Sequence, residues 1–158
     1  MRYDPIRLDY RIILDWIKNQ SSVLDLGCHE GELLSLIVQE KNARAHGIEI
    51  DEQAIYKCVT HGLSVSHQDI DNGLSEYGDE SFDYVILNQS IQQVKKPGAV
   101  LKESLRVGSE VVIGFPNFAH YRARYQIFFI RTAFIGNTRM TCILPNLLAQ
   151  IGLFLISK

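Results

Sequence analysis

Short apolar runs alternate with segments of helical spacing along most of this chain. The apolar runs are bounded by turn residues and are too short for helices, so they predict buried strands. Between them, apolar residues recur at intervals of three and four, which predicts helices. The predicted strands cover about 22–26, 43–50, 63–67, 82–87 and 110–115, and the predicted helices about 9–19, 30–40, 52–60 and 97–107.

Strands that alternate with helices indicate a parallel sheet with right-handed crossovers. We therefore predict an α/β fold, a doubly wound and mostly parallel sheet, in a single domain over residues 1–158. Asp9 is expected to cap the first helix, and Pro97 suits the first turn of the fourth. Towards the end of the chain the pattern predicts helices at about 121–131 and 147–150 and a last strand at 153–157.

The first predicted strand runs directly into a glycine-spaced turn and then a helix. Its sequence is VLDLGCHEG, at residues 23–31. Open α/β sheets bind ligands outside the carboxyl end of a strand, where the chain turns into the helix. Glycine permits backbone angles and a close ligand approach that a side chain would obstruct. This segment predicts a site for a nucleotide-like cofactor without naming the cofactor.

The sequence of this turn is compared with the patterns of two kinds of cofactor site. A nicotinamide dinucleotide requires the pattern G-x-G-x-x-G, with an acidic residue about 20 positions further on. Here the glycines are Gly27 and Gly31, and His29 occupies the position that would meet a pyrophosphate. Glu49 is placed to accept both ribose hydroxyls, but such an acid serves dinucleotide and S-adenosylmethionine sites alike. Glu49 alone therefore does not decide between them.

The residues after the later strands favour S-adenosylmethionine. Asp69 follows the third strand, where a carboxylate can accept the exocyclic amine of adenine, and Ile50 and Ile70 can pack against the adenine faces. Asn88 ends the fourth strand, beside the turn where a methionine tail would lie. Their ordered placement at strand ends on one rim favours a shared ligand over coincidence.

Each acidic residue of this rim also has a structural interpretation. Asp25 can simply fix its own loop, and Glu49 can cap the third helix. Asp69 and Asp71 are common turn residues. The predicted cofactor-binding residues are nevertheless Asp25, Gly27, Cys28, Gly31, Glu49, Ile50, Asp69, Ile70 and Asn88.

Composition narrows the class of protein. The chain has 158 residues, of which 46% are hydrophobic, and a formal net charge of −2. This predicts a globular domain without an electrostatic case for nucleic acid or an anionic membrane. Three cysteines without C-x-x-C spacing predict neither a disulfide framework nor a metal site, and together with the absence of a signal-like or membrane-spanning apolar stretch they favour the cytoplasm.

The chain resembles class I S-adenosylmethionine-dependent methyltransferases and, more narrowly, the MetW family of methionine biosynthesis. The resemblance covers about residues 9–124. The runs LRVG at 105–108 and FPNF at 115–118 are the parts that generic methyltransferases do not usually show. The other matching segments are 16–17, 23–28, 31–34, 47–51, 58–59, 61–65, 68–71 and 82–87.

The resemblance implies a Rossmann-like fold, S-adenosylmethionine or its product S-adenosylhomocysteine as cofactor, and homoserine O-acetyltransferase as a partner that MetW-like proteins assist. An S-adenosylmethionine-dependent methyltransferase acting on a small molecule is the alternative, and a nicotinamide-dependent enzyme is a third. No catalytic base is assigned, although His29, His67 and His120 are candidates. The oligomeric state is left open.

Three further features bear on these alternatives. His29 and Glu30 stand where the family usually has a glycine and an acid, so the cofactor loop gains a bulky side chain. Past Met140 the resemblance fades, and the final strand pair of the usual seven-stranded sheet is expected to be reduced or missing, through truncation or divergence. The run from Asn88 to Ser90 lacks the Asn-Pro-Pro-aromatic pattern of enzymes that methylate amino groups.

One aromatic segment is a candidate contact surface. It contains 115–118 with Tyr121, Tyr125, Phe128 and Phe129. Packing of a helix on the sheet is the favoured alternative for these side chains. Arg122, Arg124 and Arg131 are interpreted as a solvated helix face.

Overall fold

The computed structural model of the protein describes residues 7–116, 139–143 and 151–157. Their regular elements are four α-helices and seven strands, with 3-10 turns at Ile70–Asn72 and Ile91–Gln93. The helices are α1 (Leu8–Trp16), α2 (Glu32–Lys41), α3 (Glu52–Thr60) and α4 (Pro97–Val107). The strands are β1 (Ser22–Leu26), β2 (Arg44–Glu49), β3 (Val65–His67), β4 (Phe82–Asn88), β5 (Gly108–Pro116), β6 (Arg139–Ile143) and β7 (Ile151–Ser157).

The seven strands form one sheet in the order β3-β2-β1-β4-β5-β7-β6. Strands β1 to β5 pair in parallel, and β7 runs antiparallel to both of its neighbours. The chain moves outward in one direction from β1 to β3 and in the other from β4 onward. Such a switch point leaves a crevice at the carboxyl ends of β1 and β4, where open α/β sheets bind ligands.

Alternation along the strands distributes side chains to two hydrophobic cores. In β4, Val85 and Leu87 pack in the core that contains residues of α4, while Tyr84 and Ile86 pack in the core that contains residues of α1 and α2. Because successive residues of a strand point to opposite faces, Asn88 falls on the same face as Ile86. In β1, Asp25 likewise falls on the face of Val23, towards α1 and α2.

Most of the predicted elements are confirmed, several with the same bounds. The strand at 22–26 and the helices at 52–60 and 97–107 agree residue for residue. The last strand begins two residues earlier than predicted, at Ile151. The predicted helices at 121–131 and 147–150, and the aromatic surface from residue 117 onward, lie outside the described residues.

The expectation for the C-terminal strand pair was wrong. Strand β7 pairs with β5 over seven positions, and β6 pairs with β7 over five. The sheet therefore has its antiparallel strand pair. Strand β6 was missed because its sequence RMTCI is only five residues long: its polar and apolar residues alternate over 139–142, but so short a run does not by itself indicate a strand.

The prediction that Asp9 caps α1 was also wrong. The helix begins at Leu8, and Asp9 lies within its first turn, 2% exposed. Its carboxylate accepts hydrogen bonds from Arg7 Nη2 at 2.8 Å and from Asn88 Nδ2 at 2.9 Å. Asp9 thereby joins α1 to the end of β4 instead of satisfying amides at the helix terminus.

Among the residues that the structure describes, no helix has the length and apolar character needed to cross a membrane.

We expect Asp9→Ala to lower the free energy of unfolding by about 2 kcal/mol, because the Asn88 amide would lose its acceptor in a buried setting. Chemical denaturation monitored by circular dichroism measures this change. Asp15→Ala, at an exposed position of the same helix, is the matched control and should change stability by less than about 0.5 kcal/mol. Equal stability of the Asp9 variant and the control would contradict the role given to Asp9.

Candidate functional site

A cavity of about 590 Å³ opens at the carboxyl ends of the parallel strands. Its wall includes Gly27 after β1, Glu49 at the end of β2, Asp69 after β3 and Asn88 at the end of β4. The volume lies within the range of roughly 300–1,000 Å³ that small-molecule sites occupy. Eight of the nine predicted cofactor-binding residues line this one cavity: Asp25, Gly27, Cys28, Glu49, Ile50, Asp69, Ile70 and Asn88.

Gly27 is required by the turn that follows β1. Its φ is +78°, and a Cβ placed there would lie 2.8 Å from the Cβ of Ser90. Its amide donates to Ile48 O at 2.8 Å, which holds the turn against the end of β2. A side chain here would both strain the backbone and collide with the loop after β4.

Gly31 has a different role in the geometry. It is the ninth predicted residue and does not line the cavity. Its φ is +80°, and a Cβ there would lie 2.5 Å from Leu63 Cδ1 and 2.9 Å from Cys58 Sγ. The close packing of α3 and the segment after it against the start of α2 therefore requires glycine at this position.

Glu49 connects two of the turns that form the cavity. Its Oε2 accepts from the His29 amide at 2.8 Å, and its Oε1 accepts from the amides of Ile50 at 2.8 Å and Asp51 at 3.0 Å. A carboxylate accepts about four hydrogen bonds, so roughly one position remains for a ligand. The predicted role at a ribose and the structural alternative are therefore compatible in this side chain.

The loops after β3 and β4 are also held by carboxylates. Asp69 accepts from the Asp71 amide at 2.9 Å, and Asp71 accepts from the amides of Lys95 and Lys96 at 2.9–3.0 Å. The hydrogen bonds from these two amides hold the pKa of Asp71 below its usual value. Beside this acidic edge, Ile50 offers an apolar side chain that is 60% exposed.

Asp25 is the buried carboxylate of the cavity wall. Asp25 is 3% exposed. Its pKa is raised to about 7, mainly by burial and to a smaller extent by the charge of Glu49. On the α1 side, burial likewise raises the pKa of Tyr10 to about 12. Asp25 therefore titrates close to neutral pH, while the Tyr10 hydroxyl stays protonated there.

His29 is exposed and adopts a left-handed φ of +49°. It lines the cavity without filling it, and its carbonyl accepts from Cys58 Sγ at 3.1 Å. The adjoining Glu30 forms an ion pair with Lys57 of α3. Glycine adopts such a backbone angle more readily than histidine does, and the bulky side chain that the sequence adds to this loop is exposed.

Cys28 contributes to the wall but directs its thiol towards the protein. A Cβ on Gly47 would lie 2.5 Å from Cys28 Sγ, so the thiol packs against β2. Burial raises the pKa of the Cys28 thiol well above its usual range. The thiol is therefore protonated at neutral pH and is a packing group.

Four lining residues carry buried polar atoms that have no partner within the described part of the chain. They are Gln68 Oε1, Asn88 Oδ1, Ser90 Oγ and Gln92 Oε1. Buried polar atoms are nearly always hydrogen-bonded in folded proteins. A polar ligand in the cavity would supply such partners.

Several residues that line the cavity were not predicted from the sequence. Arg7 and Tyr10 come from α1 and its start, with the Arg7 guanidinium 4.5 Å from the centre of the Tyr10 ring. Gln68 and Ser90 lie in loops within two residues of predicted site residues, and Gln92 lies in the 3-10 turn Ile91–Gln93. Their adjacency to strand ends was the available signal, but amides and hydroxyls are common in loops and do not by themselves indicate a site.

Comparison with known proteins agrees with this geometry. The family model described as methionine biosynthesis protein MetW matches residues 7–147. The chain is 37% identical over 127 residues to the bifunctional methionine biosynthesis protein MetXA/MetW of Rhodopirellula baltica. That match covers 75% of this chain but spans only 20% of the length of the relative.

Solved methyltransferase structures share the fold. A SAM dependent methyltransferase from Archaeoglobus fulgidus has a TM-score of 0.75 at 17% identity, covering 95% of this chain and 91% of that one. Phosphoethanolamine N-methyltransferase 2 of Haemonchus contortus, in complex with S-adenosyl-L-methionine, has a TM-score of 0.66 at 15% identity, covering 86% and 38%. These likenesses confirm the predicted class I methyltransferase fold.

Three glycine-to-alanine variants test the turn after β1. Gly27→Ala should lower the free energy of unfolding by roughly 2–4 kcal/mol, because it combines a left-handed φ with a collision at Ser90. Gly62 has a φ of +74°, and a Cβ there would have no atom within 4 Å. Gly62→Ala should therefore lower the free energy of unfolding by only about 1–2 kcal/mol. Gly78 has neither a left-handed φ nor a close neighbour, so Gly78→Ala should leave the free energy of unfolding nearly unchanged. Denaturant unfolding of the three variants checks the order, and a Gly27 variant no worse than the Gly62 variant would contradict it.

Proposed function

This chain belongs to the MetW family, and we propose that its cavity binds S-adenosylmethionine while the protein assists homoserine O-acetyltransferase in methionine biosynthesis. The observation that carries the cofactor proposal is the convergence of Gly27, Glu49 and Asp69 on one cavity at the switch point of the sheet. We further propose that residues 1–158 act as one such domain, in the cytoplasm.

An adenosyl group matches the chemistry of this cavity wall. The remaining acceptor position of Glu49 suits a ribose hydroxyl, and Asp69 beside Ile50 and Ile70 suits an adenine amine and its faces. Asn88, at the end of β4, lies where the methionine tail would run. The proposed contacts are made by Asp25, Gly27, Cys28, Glu49, Ile50, Asp69, Ile70 and Asn88, with Gly31 shaping the loop.

The proposed partner is supported by the relative from Rhodopirellula baltica. Its name joins MetXA and MetW in one polypeptide, and we take MetXA to be the homoserine O-acetyltransferase that the family resemblance implies. Two domains fused in one chain are held at high effective concentration, which favours joint action. A domain that binds an end product of the pathway beside an enzyme of that pathway would also allow feedback.

A small-molecule methyltransferase is the second candidate. The methyltransferase fold and a cavity of about 590 Å³ favour it. S-Adenosylmethionine supplies an already activated methyl group, so the protein mainly has to align donor and acceptor. Two of the candidate bases lie within the described residues. His67 Nε2 is hydrogen-bonded to Ile50 O at 3.0 Å, whereas His29 lines the cavity.

Glu49→Ala tests the cofactor proposal. The variant loses the hydrogen bond between the carboxylate and a ribose hydroxyl, and it also loses the acceptor that holds three backbone amides of the cavity turns. We therefore expect S-adenosylmethionine to bind at least about tenfold more weakly in calorimetric titration. Glu52→Ala, at an exposed acid of α3 that does not line the cavity, is the control and should bind like the unchanged protein. Heat from NAD but none from S-adenosylmethionine would favour the nicotinamide alternative, and equal affinity of both variants would show that Glu49 is misassigned.

Co-purification tests the partner proposal. Tagged protein is expected to retain homoserine O-acetyltransferase from the same organism, and adding it should change the rate of acetyl-homoserine formation. The acyltransferase alone, with and without S-adenosylmethionine, is the control. A lack of both complex and rate change would exclude the accessory role while leaving cofactor binding in place.

A further inference from the structure

We propose that Asp71 is a positioning residue for recognition of the adenine base, and that it acts through Asp69. The inference rests on the proposed function, in which Asp69 accepts the exocyclic amine of adenine. Asp69 belongs to the segment 68–73, here called the base loop. Asp71 attaches the base loop to helix α4 and thereby holds the carboxylate of Asp69 in place.

The base loop follows the shortest strand of the sheet. Strand β3 has three residues, lies at the sheet edge and pairs with β2 over three positions. The Gln68 amide extends this contact by donating to Glu49 O at 3.0 Å. A short edge strand is supported from one side and gives little local stability, so the loop beyond it needs a further attachment.

The side chain of Asp71 supplies that attachment. Its Oδ2 accepts from the Lys95 amide at 2.9 Å, and its Oδ1 accepts from the Lys96 amide at 3.0 Å. These amides lie 24 and 25 residues further along the chain, directly before α4. Lys96 is the N-cap of α4 and makes no side-chain cap bond, and a carboxylate near a helix N-terminus is also favoured by the helix dipole.

The backbone of Asp71 holds Asp69 directly. The Asp71 amide donates to Asp69 Oδ1 at 2.9 Å, and the Asn72 amide donates to Asp69 O at 3.0 Å. The other carboxylate oxygen of Asp69 accepts no hydrogen bond from the described residues, which leaves it available to a ligand amine. Asp71 therefore orients Asp69 through its amide while its own side chain is bonded to the start of α4.

Helix α4 is a firm support for the base loop. Four of its eleven residues are buried, and Ile70 of the loop packs against the hydrophobic core to which α4 contributes. Near the other end of the helix, Arg106 donates to Leu74 O at 3.0 Å. The chain is thus attached to α4 within the base loop and again directly after it, so that loss of the Asp71 bonds would free the part that carries Asp69.

Two ligands that differ only in the base test the inference by calorimetric titration. S-Adenosylhomocysteine has an amine at position 6 of the base, whereas S-inosylhomocysteine has a carbonyl there. The unchanged protein should bind the adenosyl ligand at least about tenfold more tightly, because only the amine can donate to Asp69. Asp71→Ala should lower this ratio of affinities by about fivefold or more, because Asp69 is no longer held at the amine. A merely structural loss would weaken both ligands alike and leave the ratio unchanged.

A conservative variant and a control accompany this comparison. Asp71→Asn keeps the size of the side chain and one acceptor oxygen, so it should fold even where Asp71→Ala does not, and should lower the ratio by about twofold or more. Thermal unfolding monitored by circular dichroism checks that each variant is folded. Glu76→Ala, at an exposed acid of the same connection that does not line the cavity, should keep the ratio of the unchanged protein.

A double-mutant cycle with Asp69 distinguishes positioning from direct contact, since Asp71 itself also lines the cavity. Asp69→Ala should abolish the preference for the adenosyl ligand. If Asp71 acts through Asp69, adding Asp71→Ala should change the ratio no further. A preference that survives in Asp69→Ala and is then removed by Asp71→Ala would show that Asp71 contacts the base itself, which would overturn the positioning role.

Equal ratios in the unchanged protein, Asp71→Asn and Asp71→Ala would overturn the inference alone. Failure of the unchanged protein to prefer the adenosyl ligand would instead contradict the role that the proposed function gives to Asp69, and this inference with it. Failure to bind either ligand would overturn the proposed cofactor site as a whole.

Discussion

The carboxylate of Glu49 is the contact on which the geometry of the site depends. Parallel strands β1 and β2 bring their carboxyl ends to one edge of the sheet, but the turns beyond them need fixing. Glu49 does this by accepting the amide of His29 from one turn and the amides of Ile50 and Asp51 from the other. Amides in turns otherwise need water or a side chain as acceptor, so one acid both stabilises and shapes the cavity.

The same means of support recurs around the cavity and gives the site its electrostatic character. Asp69 and Asp71 accept backbone amides of the loops after β3 and β4, as Glu49 does at β2. Carboxylates held in this way fix the loops and also line the cavity. Against this background Asp25 stands apart, because its burial is not matched by a donor within the described residues.

Most of the fold could be predicted from the sequence because local patterns and tertiary packing agree. The buried runs of β1 and β4 have apolar residues on both faces, and both faces are covered by helices, as a doubly wound sheet requires. Strand β6 could not be predicted in the same way. It pairs at the sheet edge with β7, and its run of five residues is too short for the alternation of polar and apolar positions to indicate a strand.

The candidate site was predictable where it depends on chain order and less so where it depends on tertiary contacts. Strand ends in a parallel sheet converge, so Gly27, Glu49 and Asp69 could be expected together. The position of Asp9 could not, because a residue that suits a helix cap locally gains more from its bonds to Arg7 and Asn88. Gly31 shows the same limit: its positive φ fits the pattern, but the contacts with Leu63 and Cys58 come from α3 and the segment that follows it.

A crystal structure of the protein grown with S-adenosylmethionine tests the central claim most directly. The account predicts the adenosyl group in the cavity, with ribose at Glu49, adenine beside Asp69 and the methionine tail at Asn88. A ligand bound elsewhere on the protein, or a cavity that stays closed to it at saturating concentration, would contradict the account.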